Sequence, residues 1–98
     1  MKIAFTENNG TLTVALDGRL DTTTAPDLET ALKESFEGIT KLILNFEELS
    51  YLSSAGLRVL LTAQKVMNKQ GEMVIQHVNE TIAEIFEVTG FVDILTIE

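Results

Sequence analysis

The order of apolar and polar positions divides the chain into short alternating runs and longer helical ones. "KIAFTE" (2–7) sets Ile3 and Phe5 against polar neighbours, and "TLTVALDG" (11–18) alternates leucine and valine with polar or small residues. An Asn-Asn-Gly turn at 8–10 joins the two runs. Alternation on both sides of such a turn predicts a β-hairpin with one buried face.

Three later segments carry their apolar residues at helical spacing, which predicts helices at about 24–37, 54–70 and 80–89. Each predicted helix is bounded by residues that commonly begin or end one. These expected boundary residues are Thr24, Pro26, Asp27 and Gly38 for the first helix, Gly71 for the second, and Asn79 and Gly90 for the third.

Short apolar runs separate the helices and predict further strands. "KLILNF" (41–46) is nearly continuous, as expected for a strand covered on both faces, and "EMVIQH" (72–77) is a second candidate. "DILTIE" (93–98) is a possible edge strand. Because strands alternate with helices, we expect an α/β fold with a mixed, mostly parallel sheet of four to five strands, opened by the hairpin, in one domain at 1–98.

Composition narrows the class of protein. The chain has 98 residues, a net charge of −8 and a pI near 4.5, which argues against nucleic acid and anionic membrane surfaces as partners. It contains no cysteine, no signal-peptide pattern and no apolar run long enough to span a bilayer. We therefore expect a cytoplasmic domain with no cofactor; the oligomeric state is left open.

The sequence motifs give little support to the hypothesis that this protein is an enzyme. The string "LSSAG" lacks the GxSxG nucleophile elbow. His77, the single histidine, follows the strand predicted beside "KLILNF", so a serine hydrolase through Ser54 and His77 stays open as an alternative. We favour the interpretation of His77 as an ordinary residue at the polar rim of the sheet, and expect no enzyme.

The sequence predicts neither a phosphate-binding loop nor a metal site. No phosphate-binding glycine pattern is present. Asp17, Asp21 and Asp27 fall on a strand end, a loop and a helix start, and their spacing fits no calcium loop, so we expect no metal site. Asp27 is better explained as an acid in the first turn of a helix, where it complements the dipole.

A basic stripe follows the second predicted helix. Arg58, Lys65 and Lys69, with Thr62, recur at helical spacing on the side away from the leucines. The stripe is either a solvated helix face or a docking surface for an acidic patch, contiguous with Ser54. We favour the solvated face.

The most unusual stretch is "YLSSAGLRVLL" (51–61), where two serines stand between a strand and a helix. One serine is enough to cap the helix, which leaves the second hydroxyl free. The pair also follows a strand's carboxyl end, where open α/β sheets present functional loops, and Gly56 keeps the first helical turn slim. An exposed hydroxyl at this position is accessible to a kinase.

Three segments together resemble the STAS domain, specifically the stand-alone anti-sigma-factor antagonists of bacteria. They are "LDGRLDTTTAPDLETAL", "LILNFEELSYLSSAGLRVLL" and "IAEIFEVTGF", in family order over almost the whole chain. The second resembles the family's phosphorylation loop. Aligned on Gly56, Ser54 takes the place of the phosphorylated serine, Ser53 stands where the family usually has Asp, and Arg58 replaces a common Gly or small residue.

The resemblance implies a partner-switching protein rather than a catalyst. An unphosphorylated antagonist binds an anti-sigma factor that is also a serine kinase, which releases the sigma factor. The kinase then phosphorylates Ser54, with Ser53 as the alternative acceptor, and a PP2C-type phosphatase reverses the modification. The implied partner-binding residues are Asp21, Thr22, Thr23, Ser53, Ser54, Gly56, Leu57 and Arg58. The alternative within the family is a non-phosphorylated adaptor subunit, for example of a lipid-transport complex.

Overall fold

The computed structural model describes residues 1–98 and has the predicted architecture. The elements in chain order are β1 (Lys2–Asn8), β2 (Thr11–Leu20), α1 (Ala25–Ser35), β3 (Lys41–Leu52), α2 (Ser54–Gln70), β4 (Glu72–Gln76) and α3 (Glu80–Thr89). The sheet order is β1-β2-β3-β4, with β1 antiparallel to β2 and the other neighbours parallel. The mixed, mostly parallel sheet opened by a hairpin is therefore confirmed, as are three helices.

One hydrophobic core joins a single face of the sheet to all three helices. Leu12, Val14 and Leu16 of β2 belong to it, together with buried residues of α1, α2 and α3. The expectation that β3 is covered on both faces is wrong. Ile43, on the opposite face, is only half-buried and lies outside this core, because every helix contributes its buried side chains to the other side.

The hairpin has the predicted turn but a poorly covered first strand. Asn9 and Gly10 both have positive φ, 53° and 84°, which is the geometry of a type I′ turn. Phe5 pairs with Val14 and so shares its face, yet Phe5 is 42% exposed. The expectation of a buried face along β1 fails at this residue because β1 is the edge strand, beyond most of the helical cover.

Helix boundaries follow the predicted caps with two exceptions. Asn79 caps α3 by accepting the Ile82 N–H at 2.9 Å, and α2 ends at Gly71 as expected. Thr24 precedes α1 but makes no side-chain cap, because its hydroxyl is used within the preceding loop. Gly38 does not end α1 either: the helix stops at Ser35, and Gly38 lies in the turn that follows.

The C-terminal segment 93–98 does not form the possible edge strand that its sequence pattern predicts. A short 3-10 helix covers Phe91–Asp93, and the chain then makes one parallel bridge between Ile97 and Ile75. Backbone bonds of 2.9 Å, Ile75 N–H to the Thr96 carbonyl and Glu98 N–H to the Ile75 carbonyl, hold it there. The backbone N–H groups of Ile94 and Leu95 donate back to the Phe91 carbonyl at 3.0 and 2.8 Å, so these two residues do not pair with β4.

None of the helices is both long and apolar enough to cross a membrane.

Candidate functional site

The two serines divide their roles at the junction of β3 and α2. Ser53 is extended (ψ 175°) and is the N-cap of α2, accepting the Gly56 N–H at a long N–Oγ distance of 3.5 Å. Its carbonyl accepts the Leu57 N–H at 3.0 Å, the first bond of the helix. Ser54 is the first helical residue, and its exposed hydroxyl makes no hydrogen bond within the protein. Ser54 is therefore the free hydroxyl of the pair.

The loop between β2 and α1 is fixed by its own side chains. Asp21 Oδ1 accepts the backbone N–H groups of Thr23 and Thr24 at 3.0 and 3.1 Å. The Thr24 hydroxyl accepts the Asp21 N–H at 2.9 Å and donates to the Arg19 carbonyl at 2.7 Å. These bonds give the loop a defined shape, with Thr22 and Thr23 exposed at its tip.

This loop and the serine junction lie together at one edge of the sheet. Leu20, the last residue of β2, pairs with Leu52, the last residue of β3, and the Ser53 N–H donates to the Leu20 carbonyl at 2.9 Å. A groove of about 250 Å³ runs between the first turns of α1 and α2, with Thr22 on one side and Arg58 on the other. The carboxyl ends of parallel strands thus bring the predicted loops together, as expected.

Gly56 and Leu57, also among the expected partner-binding residues, are buried. Leu57 is 6% exposed and belongs to the core. A Cβ at Gly56 would lie 2.7 Å from Leu52 Cδ1 and 2.8 Å from Leu20 Cγ, closer than side chains tolerate. These two residues therefore seat the helix start against the strand ends, whereas Ser54 and Arg58 present their side chains to solvent.

Arg19 and Tyr51 extend the site and were missed from the sequence. They are paired across β2 and β3, and the Arg19 guanidinium lies 4.2 Å from the centre of the Tyr51 ring. Arg19 Nε also approaches Asp21 Oδ2 at 3.7 Å. Each residue stands one position before the leucine that ends its strand, in "GRL" and "SYL", and this matching position is the sequence signal for their pairing. Because the register between β2 and β3 shifts, spacing along the sequence does not reveal the pair.

The structure brings together neither His77 with the serines nor the three aspartates of the sequence analysis. His77 follows Gln76, which pairs with Asn45, and residues 46–52 of β3 lie between that pair and the serines. No hydrogen bond joins His77 to Ser54, so the serine-histidine pair does not form. No group of three or more acidic or histidine side chains that could hold a metal ion is present, the three aspartates included.

Known proteins resemble this chain in sequence and in fold. A family model of the STAS domain matches residues 2–98. The chain belongs to the STAS family.

Relatives of this STAS domain are anti-sigma factor antagonists by name. BtrV of Bordetella bronchiseptica, provisionally named as one, is 34% identical over 99% of this chain and 85% of its own length. The anti-sigma-B factor antagonist of Staphylococcus aureus is 33% identical over 84% of this chain and 78% of its own. SpoIIAA, solved as the unphosphorylated antagonist, has a TM-score of 0.86 over 99% of this chain and 88% of that one.

A second structure, of the Bacillus SpoIIAA in its phosphorylated form, has a TM-score of 0.78 over 99% of this chain and 91% of that one. Both SpoIIAA structures are 19% identical to this STAS domain, and at that level the likeness shows the fold alone.

The two serines of this STAS domain are expected to differ in their effect on stability. Ser53→Ala removes the N-cap and should lower the free energy of unfolding by about 0.5–1 kcal/mol, the low end of cap losses because the bond is long. Ser54→Ala removes an unbonded, exposed hydroxyl and should change it by less than about 0.5 kcal/mol. Urea unfolding of both variants checks this. A larger loss in Ser54→Ala than in Ser53→Ala would contradict the division of roles.

Asp21 makes the loop of this STAS domain sensitive to acid. The pKa of Asp21 lies below its ordinary value, chiefly because its carboxylate accepts the Thr24 N–H. Desolvation, the next largest effect, opposes this, and the Thr23 N–H, the Thr24 hydroxyl and the Arg19 charge lower the pKa further. A lowered pKa adds stability above the unfolded-state value, about 3.9, and this stability is lost as pH falls through the folded-state pKa. Asp21→Asn should therefore be less stable than the wild type at pH 7, with the difference shrinking toward pH 3.

Urea midpoints at both pH values measure this difference. Asp17→Asn is the matched control, because the Asp17 carboxylate makes no hydrogen bond or ion pair and its loss removes the same single charge. If the stability difference for Asp21→Asn stayed constant from pH 7 to pH 3, the loop bonds would not be lowering the pKa of the Asp21 carboxyl group.

Proposed function

We propose that this STAS domain is a cytoplasmic anti-sigma-factor antagonist. In its unphosphorylated form it binds an anti-sigma factor that is also a serine kinase, and this binding releases the sigma factor. The kinase transfers the γ-phosphoryl group of ATP to Ser54 Oγ, with ADP as the leaving product, and a PP2C-type phosphatase hydrolyses the phosphoserine. The domain is substrate and ligand in this cycle and performs no catalysis itself.

The observation that carries this proposal is the environment of Ser54. Its hydroxyl is exposed, unbonded and placed beside the hydrogen-bonded loop that carries Thr22 and Thr23. Ser53, the alternative acceptor, is half-buried and occupied as the cap of α2. Ser54 is therefore the accessible acceptor. The names of the relatives support the general role, and SpoIIAA exists in both phosphorylated and unphosphorylated forms.

The expected switch is electrostatic and steric, without refolding. A phosphate adds a charge of about −1.5 to −2 at the start of α2. The N-terminus of a helix favours an anion there by about 0.3–1 kcal/mol, so the fold accommodates the modification. Within a desolvated interface, a misplaced charge costs about 2–5 kcal/mol. Because the interface effect is larger, phosphorylation should release the partner while the domain stays folded.

The surface proposed for partner contact follows from exposure. Thr22, Thr23, Ser54 and Arg58 present their side chains to solvent at this edge. Four further residues position the backbone that carries these side chains: Asp21 shapes the loop, Ser53 caps the helix, and Gly56 and Leu57 pack against the strand ends.

Phosphopeptide mapping of the endogenous protein by mass spectrometry, in growing and in stressed cells, tests this function. A phosphate on Ser54 whose level changes between conditions is the expected result. A phosphate confined to Ser53 would move the acceptor by one position, to the alternative serine, and overturn the assignment of Ser54. Absence of phosphate in every condition would overturn the switch and favour the adaptor role.

A further inference from the structure

The side chain of Arg58 lies on the same helix face as the Ser54 hydroxyl. The two residues are four positions apart near the start of α2, and both are exposed. Side chains at this spacing are neighbours, with Cβ atoms about 5–6 Å apart. Helical side chains also tilt toward the N-terminus, so a long side chain at position 58 reaches back over the turn that carries Ser54.

Arg58 has no partner of its own, although acidic residues outnumber basic ones by 15 to 7 in this chain. Three other cations have carboxylates within 4.0 Å: Arg19 pairs with Asp21, Lys33 with Glu29 and Lys41 with Glu72. Arg58 pairs with none, and its guanidinium donates no hydrogen bond. Glu29, which lines the same groove as Arg58, is the partner of Lys33 at 3.8 Å.

A phosphate on Ser54 supplies what this guanidinium lacks. It carries three acceptor oxygens and nearly two negative charges. A guanidinium has five N–H donors arranged as a planar fork that matches phosphate geometry. The only other arginine of the chain, Arg19, is held between the Tyr51 ring and Asp21. Among the charged groups at this edge, Arg58 alone is both free and on the same helix face as Ser54.

We propose that Arg58 is the intramolecular receptor of a phosphate on Ser54. The guanidinium turns back over the first turn of α2 and donates to the phosphate oxygens, beside the backbone N–H groups that a helix start leaves unpartnered. This inference rests on the proposed function for its biological setting, since it assumes that Ser54 is modified in the cell. It adds a second consequence to phosphorylation: the proposed contact surface gains an anion and loses the free charge of Arg58 in one event.

The pairing predicts a measurable shift in the second pKa of the phosphate. The domain is prepared with phosphoserine genetically encoded at position 54, so that no kinase is required, and is titrated by ³¹P NMR at low ionic strength. In the wild type this pKa should lie below the ordinary value of about 6, because Arg58 favours the dianion. Arg58→Gln should raise it by about half a pKa unit, given that charged pairs at this spacing are modest in strength.

Three further variants separate this pairing from general electrostatics. Lys65→Gln removes one charge from the same helix face about 16 Å along the axis, and should shift the pKa by less than half as much. Arg58→Lys keeps the charge and should restore most of the lowering. Arg19→Gln tests the other arginine at this edge. The contribution of the helix dipole is common to all variants and cancels in the comparison.

Equal pKa values in the wild type and in Arg58→Gln would overturn the inference. A shift of the same size in Lys65→Gln would overturn it as well, since it would show an effect of net charge alone, and a shift confined to Arg19→Gln would assign the receptor to Arg19. The outcome is independent of the phosphopeptide mapping. Absence of phosphate in cells would remove the proposed function without touching this pKa difference, and a missing pKa difference would leave a mapped phosphate on Ser54 in place.

Discussion

Replacing Ser54 with aspartate is expected to weaken binding of the anti-sigma partner by on the order of 2–5 kcal/mol, which is about 30-fold to several thousand-fold in Kd. The carboxylate enters an exposed position of the proposed contact surface and must be desolvated when the partner docks. Folding should be unaffected, because an acid in the first turn of a helix is favourable by about 0.3–1 kcal/mol. Lost binding in a fully folded variant is the signature of the switch.

Affinity capture from the source cells, with the retained proteins identified by mass spectrometry, provides the measurement. Wild type and Ser54→Ala should both retain an anti-sigma factor, and Ser54→Asp should not. Thr81→Asp is the matched control, since it places the same charge in the first turn of α3, at an exposed position of a helix that contributes no residue to the proposed surface. Retention of the same partner by Ser54→Asp, with unchanged thermal unfolding, would contradict the assignment of Ser54.

The sequence predicts most of this fold because its local signals agree with one another. Asn9 and Gly10 set the hairpin turn, Asn79 caps α3, and the strand-helix alternation implies the parallel register. The sequence does not predict how far the helices cover each strand of the sheet. Phe5 and Val14 share a face by alternation, but only the placement of the helices leaves Phe5 exposed. Periodicity indicates which residues share a face, and tertiary packing decides which are buried.

The candidate site follows the same pattern. Ser54 and the loop at Asp21 are predicted to be close, because both follow the carboxyl ends of adjacent parallel strands, and the Ser53–Leu20 backbone bond joins them. The contact of Arg19 with Tyr51 depends on a strand register that is shifted at two places, so spacing does not reveal it.

Gly71 marks a close approach between two backbones, and Gly71→Ala is expected to be strongly destabilising although the position is exposed. A Cβ at this position would overlap the carbonyl of Thr40. That carbonyl accepts the Glu72 N–H at 3.0 Å, a bond that brings the start of β4 beside β3. Because the obstacle is backbone, no side-chain rotation relieves the overlap. The two segments must separate, and the bond is weakened or lost.

The expected cost is about 3 kcal/mol of unfolding free energy, at the upper end of overpacking effects, and a fall in Tm of at least about 12 °C for a domain of this size. Lys69→Ala is the matched control, an exposed position of the same helix where alanine is well tolerated, and it should stay within about 0.5 kcal/mol of the wild type. Urea and thermal unfolding measure both variants.

The damage should also have a location, because the weakened bond lies at the opposite end of β3 from the serines. Amides of Met73 and Ile75, which are buried in β4, should lose hydrogen-exchange protection in Gly71→Ala. Those of the first turn of α2 should change less, so partner binding by the folded fraction should survive. A Gly71→Ala variant as stable as Lys69→Ala would contradict this prediction, because it would mean that a Cβ at position 71 fits beside the Thr40 carbonyl.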